Sequence, residues 1–109
     1  MSVMRGLSAF PITPCTPDGD PIADDLRRIL RRLTRAEVDA IGLLGSTGSY
    51  AYLSIPQRQR ALELALEAVG GRVPVIVGVG ALTTRDAVAL ARHAADAGAA
   101  GLLLAPVSY

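Results

Sequence analysis

The chain has 109 residues, half of them hydrophobic, and a formal net charge of +1. That is the size of one small domain with enough apolar material for a core, and it excludes a disordered composition or a surface built as a whole for polyanions. The single cysteine, Cys15, rules out an intrachain disulfide and points to a reducing cytoplasm, and no apolar run is long enough to span a bilayer.

The amino terminus, Met1 to Arg5, lacks the apolar core of a signal peptide. Leu7 to Ile12 reads as a first short strand, followed by a proline-rich stretch, Thr13 to Pro21, in which Asp18-Gly19 suits a tight turn. Asp24-Asp25 opens a first helix, with negative charge at the end where the helix dipole favours it. Leu26, Ile29, Leu30 and Leu33 form its apolar stripe. Arg27, Arg28, Arg31, Arg32 and Arg35 fall mostly off that stripe and read as a solvated face. No aromatic residue interleaves with them to stack on bases, so no nucleic-acid partner is expected.

Ala40 to Leu44 is the second strand. A polar turn follows, Gly45-Ser46-Thr47-Gly48, and then Ser49 to Leu53. Ser54 and Gln57 have the spacing of a capping box at the start of a second helix, and Pro56 is tolerated in its first turn. Leu62, Ala65, Leu66 and Val69 form the buried stripe of this helix, and Gly70-Gly71 ends it. The unbroken apolar run Val73 to Gly80 suits a parallel strand covered on both faces. Gly78-Val79-Gly80 is not a dinucleotide fingerprint, because Thr83 stands where the third glycine belongs. Thr83 or Thr84 caps a third helix with Ala87, Val88, Ala91, Ala94 and Ala95 inward. His93 serves packing or surface, and Gly98 terminates the helix. Gly101 to Ala105 is a fourth strand, ending in Pro106-Val107-Ser108-Tyr109.

Four strands alternating with three helices at intervals of about thirty residues make an α/β chain of βα units. A closed barrel of eight such units takes about 250 residues. The expected fold is therefore the amino-terminal half of a (β/α)8 TIM barrel, one partial domain over residues 1–109 with the remainder of the barrel absent. Ligands of such folds sit at the carboxyl ends of the strands. The hydroxyls of Ser46 and Thr47 are thus candidates to hold an anion such as a carboxylate.

Thr13-Pro14, Gly45-Ser46-Thr47-Gly48, Leu53-Ser54, the run Arg72 to Gly80 and Ala97-Gly98-Ala99-Ala100-Gly101 stand in an order and spacing that carry a family likeness. On these residues the chain resembles the amino-terminal half of the dihydrodipicolinate synthase and N-acetylneuraminate lyase family. The resemblance implies a carbon–carbon lyase or aldolase in which a lysine on a later strand forms a Schiff base with pyruvate or a related 2-keto acid. Ser46 and Thr47 would bind the keto-acid carboxylate, Ser46 would also join a proton relay with tyrosines, and the chain would form homo-oligomers. No cofactor and no metal is implied.

Three departures bear on that reading. All 11 basic residues are arginine, so this chain has no lysine to form the imine. Ser49 stands where the family usually has Glu after the tetrad. Ser108 stands where it usually has the relay tyrosine, leaving Tyr109, one residue on, as the candidate. Two other readings compete with a lyase: a non-enzymatic half-barrel that self-associates over its uncovered fourth strand, and a small doubly wound domain that binds an anionic metabolite. A metal site is not expected. One His, one Cys and scattered carboxylates lack ligand spacing, and Asp18, Asp20, Asp24 and Asp25 lack the EF-hand register and read as a turn and a helix start.

Overall fold

A computed structural model describes residues 6–44, 53–81 and 83–103. The elements among them are β1 (Ser8–Ala9), α1 (Ala23–Arg35), β2 (Ala40–Leu43), α2 (Ile55–Val69), β3 (Val75–Gly78), α3 (Thr84–Ala97) and β4 (Gly101–Leu103). The four strands form one parallel sheet in the order β1-β2-β3-β4. Consecutive order without a reversal is that of a barrel segment, whereas a doubly wound sheet needs a switch point. The tetrad and residues 104–109 lie outside the described residues.

The register sorts the strand residues onto two faces. Gly42 pairs with Ile76 and Ile76 with Gly101, while Leu43 pairs with Val77 and Val77 with Leu102. Ile41, Leu43, Val75 and Val77 share the face that meets the helices and are at most 3 % exposed. Against them pack Leu26 and Leu30 of α1, Ala61, Leu62, Leu64, Ala65 and Val69 of α2, and Leu90 and Ala94 of α3. The other face carries Ser8, Ala40, Gly42, Ile76, Gly78, Gly101 and Leu103, and no described helix covers it. Phe10 lies over Gly42, where a Cβ would collide with its ring, and is left half exposed.

Helix ends follow their local chemistry. The Ser54 hydroxyl accepts the Gln57 N–H, the Gln57 side chain accepts the Ser54 N–H, and Pro56 sits in the first turn. Thr83, rather than Thr84, caps α3 by accepting the Asp86 N–H at 3.1 Å. Gly70 and Gly98 take the left-handed conformation that closes α2 and α3. α1 begins at Ala23 with no side-chain cap, and Asp24 and Asp25 supply first-turn negative charge instead.

Three expectations need correction. β1, β2 and β3 are shorter than their apolar runs. β1 pairs with β2 only through Ser8 and Ala9, since it is an edge strand and Pro11 lacks an N–H for the ladder. β3 is confined to Val75–Gly78, although Pro74 still accepts the Ile41 N–H through its carbonyl. On α3 the inward face is Ala87, Leu90, Ala91 and Ala94, whereas Val88 and Ala95 are exposed. An alanine-rich helix offers little contrast by which to fix that face. The buried face of α2 is wider than expected, adding Arg58, Ala61 and Leu64, and Leu66 is only half buried.

Candidate functional site: the carboxyl rim of the sheet

Parallel strands bring their carboxyl ends to one rim. There Leu44 follows β2, Gly78 to Gly80 end and follow β3, and Leu103 ends β4. The Val79 N–H donates to the Leu103 carbonyl at 2.9 Å, so the β3–β4 ladder reaches this rim.

Leu44 is the point of strain. It is a non-glycine residue at φ +58°, a conformation that costs about 1–3 kcal/mol unless its surroundings impose it. Here the surroundings do impose it, since the side chain is 1 % exposed in the core and the backbone turns sharply out of β2. The Leu44 carbonyl oxygen runs so close to Gly78 that any Cβ there would collide with it. Gly78 is therefore the residue that lets the backbone at the end of β2 lie close against the end of β3.

Arg58 fixes the same place from the helix side. It stands in the second turn of α2, is 4 % exposed, and donates from Nη1 to the Gly80 carbonyl (2.7 Å) and from Nη2 to the Gly78 carbonyl (2.8 Å). Charge-assisted bonds from a planar fork to two carbonyls on one strand hold that rim in one geometry. The sequence carries a signal for Arg58 that composition hides: it occupies the same stripe as Leu62, Ala65 and Val69, so a charge stands at a position meant for the core.

The β1–α1 loop closes the rim's other side. The Thr16 N–H donates to the Asp20 carbonyl (2.8 Å), the Gly19 N–H to the Thr16 carbonyl (2.9 Å) and the Ile22 N–H to the Pro14 carbonyl (2.9 Å). Gln57 pins this loop to the start of α2, its amide nitrogen donating to the Asp18 carbonyl (2.8 Å) and to Asp20 Oδ1 (3.2 Å). Asp18 and Asp20 therefore belong to a turn, and Asp24 and Asp25 to a helix start. A cleft of about 390 Å³ is lined by residues of this loop from Thr13 to Gly19 and by Leu53. In it the Thr13 hydroxyl is buried and has no hydrogen-bond partner among the described residues. The Cys15 thiol donates to the Thr13 carbonyl at 3.2 Å. Burial first, and the neighbouring Asp20 carboxylate second, raise this thiol above its ordinary range, so it is not poised as a nucleophile.

The residues proposed from sequence as the site, Ser46, Thr47 and Tyr109, lie outside the described residues, as do Ser49 and Ser108. The described flanks of the tetrad, Leu44 and Leu53, both stand at this rim. His93 lines a small cavity beneath this rim with Leu44, Arg58, Gly78 and Val79, and its Nε2 lies 3.0 Å from Glu63 Oε2, tying α3 to α2. Among the described residues no three of His, Cys, Asp and Glu converge as metal ligands, and no helix is long and apolar enough to cross a membrane.

Comparison with known proteins bears on this geometry. The model of the dihydrodipicolinate synthetase family matches residues 3–108. The 4-hydroxy-tetrahydrodipicolinate synthase of Salinibacter ruber is 38 % identical over 107 residues, which are 98 % of this chain and 35 % of the relative. Among solved structures, dihydrodipicolinate synthase from Agrobacterium tumefaciens superposes with a TM-score of 0.94 at 50 % identity, over 98 % of this chain and 36 % of its own. N-acetylneuraminate lyase from Fusobacterium nucleatum, complexed with pyruvate, superposes with a TM-score of 0.87 at 27 % identity, over 98 % and 37 %. The chain thus spans about a third of the length of the relatives it matches.

Proposed function

From the premise that this chain belongs to the dihydrodipicolinate synthetase family, we propose that it supplies the first four strands of a lyase or aldolase acting on pyruvate or a related 2-keto acid. Residues 1–109 form the opening part of one barrel domain. The imine nitrogen comes from a lysine outside these residues, because none of the 109 is lysine. That amine attacks the keto carbon and water leaves. The resulting iminium accepts the electrons of the carbon–carbon bond that breaks, or yields the enamine that forms a new one. Ser46 and Thr47 hold the keto-acid carboxylate through their hydroxyls and neighbouring backbone N–H groups. Ser46 and Tyr109 pass the protons that imine formation and bond cleavage both require.

The observation that carries the reading is the strained turn at Leu44. It sends the chain out of β2 at the rim where barrels bind ligands, immediately before the tetrad. The test is borohydride reduction of the full-length gene product in the presence of pyruvate. A trapped adduct is expected there and none on the isolated 109 residues; no adduct on the longer protein, or one on the isolated chain, overturns the proposal. Ser46→Ala and Thr47→Val in that protein are expected to raise the pyruvate KM, and Ser46→Ala to lower kcat as well.

A second reading has its own support. Leu7, Phe10 and Ile12 by the β1 edge and Leu102 and Leu103 of the β4 edge are each more than 40 % exposed, and such edges invite a second copy of the chain. Sedimentation of the purified chain decides: a well-folded monomer removes this reading.

A further inference from the structure

The net charge of +1 conceals a local concentration of positive charge. Arg27, Arg28, Arg31 and Arg35 of α1 and Arg72 of the α2–β3 turn line one groove of about 500 Å³ together with Asp24. Five arginines against one aspartate give the lining a formal charge of +4, so the rest of the chain is acidic on balance. Arg27 is engaged by Asp24 (3.4 Å) and Glu67 (3.7 Å), and Arg28 by Asp25 (3.7 Å). No carboxylate among the described residues lies within 4 Å of Arg31, Arg35 or Arg72. The favourable dipole at a helix carboxyl end accounts for Arg35. It does not account for Arg28 and Arg31 earlier in α1, nor for Arg72, which arrives from a different element.

We infer that this groove binds the oligophosphate moiety of a small molecule. Guanidinium forks match phosphate oxygens two at a time, and a groove lined by one sign of charge concentrates counter-ions. Arg28 and Arg35 are separated by about 10 Å along the helix axis. That is a long reach for a lone phosphate and suits a chain of two or three. No aromatic side chain lines the groove to stack on a base, so recognition rests on the phosphates rather than on a nucleoside or a nucleic acid. Arg35 and Arg72 precede β2 and β3, at the end of the sheet opposite the carboxyl rim, so the groove is separate from the keto-acid site and stands or falls independently of it.

Titration calorimetry of the purified chain with inorganic tripolyphosphate, orthophosphate, ATP and a short DNA duplex, at ~50 mM salt where electrostatic binding is strongest, tests the proposal. One tripolyphosphate per chain is expected, bound about tenfold or more tightly than orthophosphate and within about threefold of ATP. The paired variant Arg31→Gln/Arg35→Gln, and separately Arg72→Gln, are expected to weaken it by about tenfold. Arg92→Gln, on the exposed side of α3, is expected to leave it unchanged. Equal affinity for ortho- and tripolyphosphate, tighter binding of the duplex, or an equal loss in Arg92→Gln overturns the inference in favour of general surface charge.

Discussion

The two faces of the sheet are made by the same four strands and differ in almost every respect. The helix-covered face presents branched side chains, Ile41, Leu43, Val75 and Val77, and all are buried within this chain. The opposite face presents Gly42, Gly78 and Gly101 beside Ile76 and Leu103, and its aromatic cover, Phe10, remains half in water. The first face is finished over Ile41, Leu43, Val75 and Val77, with Leu102 of β4 left 49 % exposed at its margin, and the second leaves apolar surface open. Strand alternation therefore encodes two partners, one already present in the chain and one outside the described elements.

Substitutions sharpen the contrast. Leu43→Ala, on the finished face, is expected to cost about 2–5 kcal/mol by denaturant unfolding, through lost burial and a cavity that the packed helices cannot close. Gly78→Ala, on the open face, puts a methyl group against the Leu44 carbonyl and is expected to cost about 1–3 kcal/mol although it adds apolar area. A neutral result there would mean that the end of β2 is free to move. Phe10→Ala is expected to cost only about 1 kcal/mol, since the residue is 45 % exposed. A loss as large as that of Leu43→Ala would show the two faces to be equivalent and break the comparison. The smallest effect is kinetic. Cys15, whose thiol is raised by burial and by Asp20, is expected to react with iodoacetamide more slowly than free cysteine at pH 8. The sign follows from the proton. The folded chain holds it above the pH at which the unfolded chain releases it, so this group's contribution to stability is complete below the unfolded value and declines as pH rises through the folded one.

The order of elements was legible because it rests on periodicity and punctuation: the Leu26 and Leu30 stripe, the Ser54–Gln57 box, and the glycines at 70 and 98. Strand lengths were not, because an apolar run records burial, whereas a ladder ends where its backbone groups find other partners. At Gly80 that partner is Arg58, and the carbonyl of Gly78 is shared with the same guanidinium. The inward face of α3 was misread at Val88 and Ala95 because small side chains carry almost no amphipathic contrast, and Leu90 was the residue that decided it. Of the described rim, the sequence showed the apolar run that leads to it but not how its ends are held. The Leu44 turn and the close approach of its carbonyl to Gly78 depend on two strands meeting, which no single stretch reveals.

Gln57 divides one amide between two tasks. Its oxygen receives the Ser54 N–H and starts α2, while its nitrogen holds Asp18 and Asp20 in the β1–α1 loop. Glutamate has the same shape and is the more usual partner in a capping box, yet it has no N–H to offer and would set a negative oxygen beside the Asp20 carboxylate. A change of one atom would thus leave the helix cap intact and unfasten the loop beside it, so the choice of amide over acid at this position is what lets one side chain join the two segments.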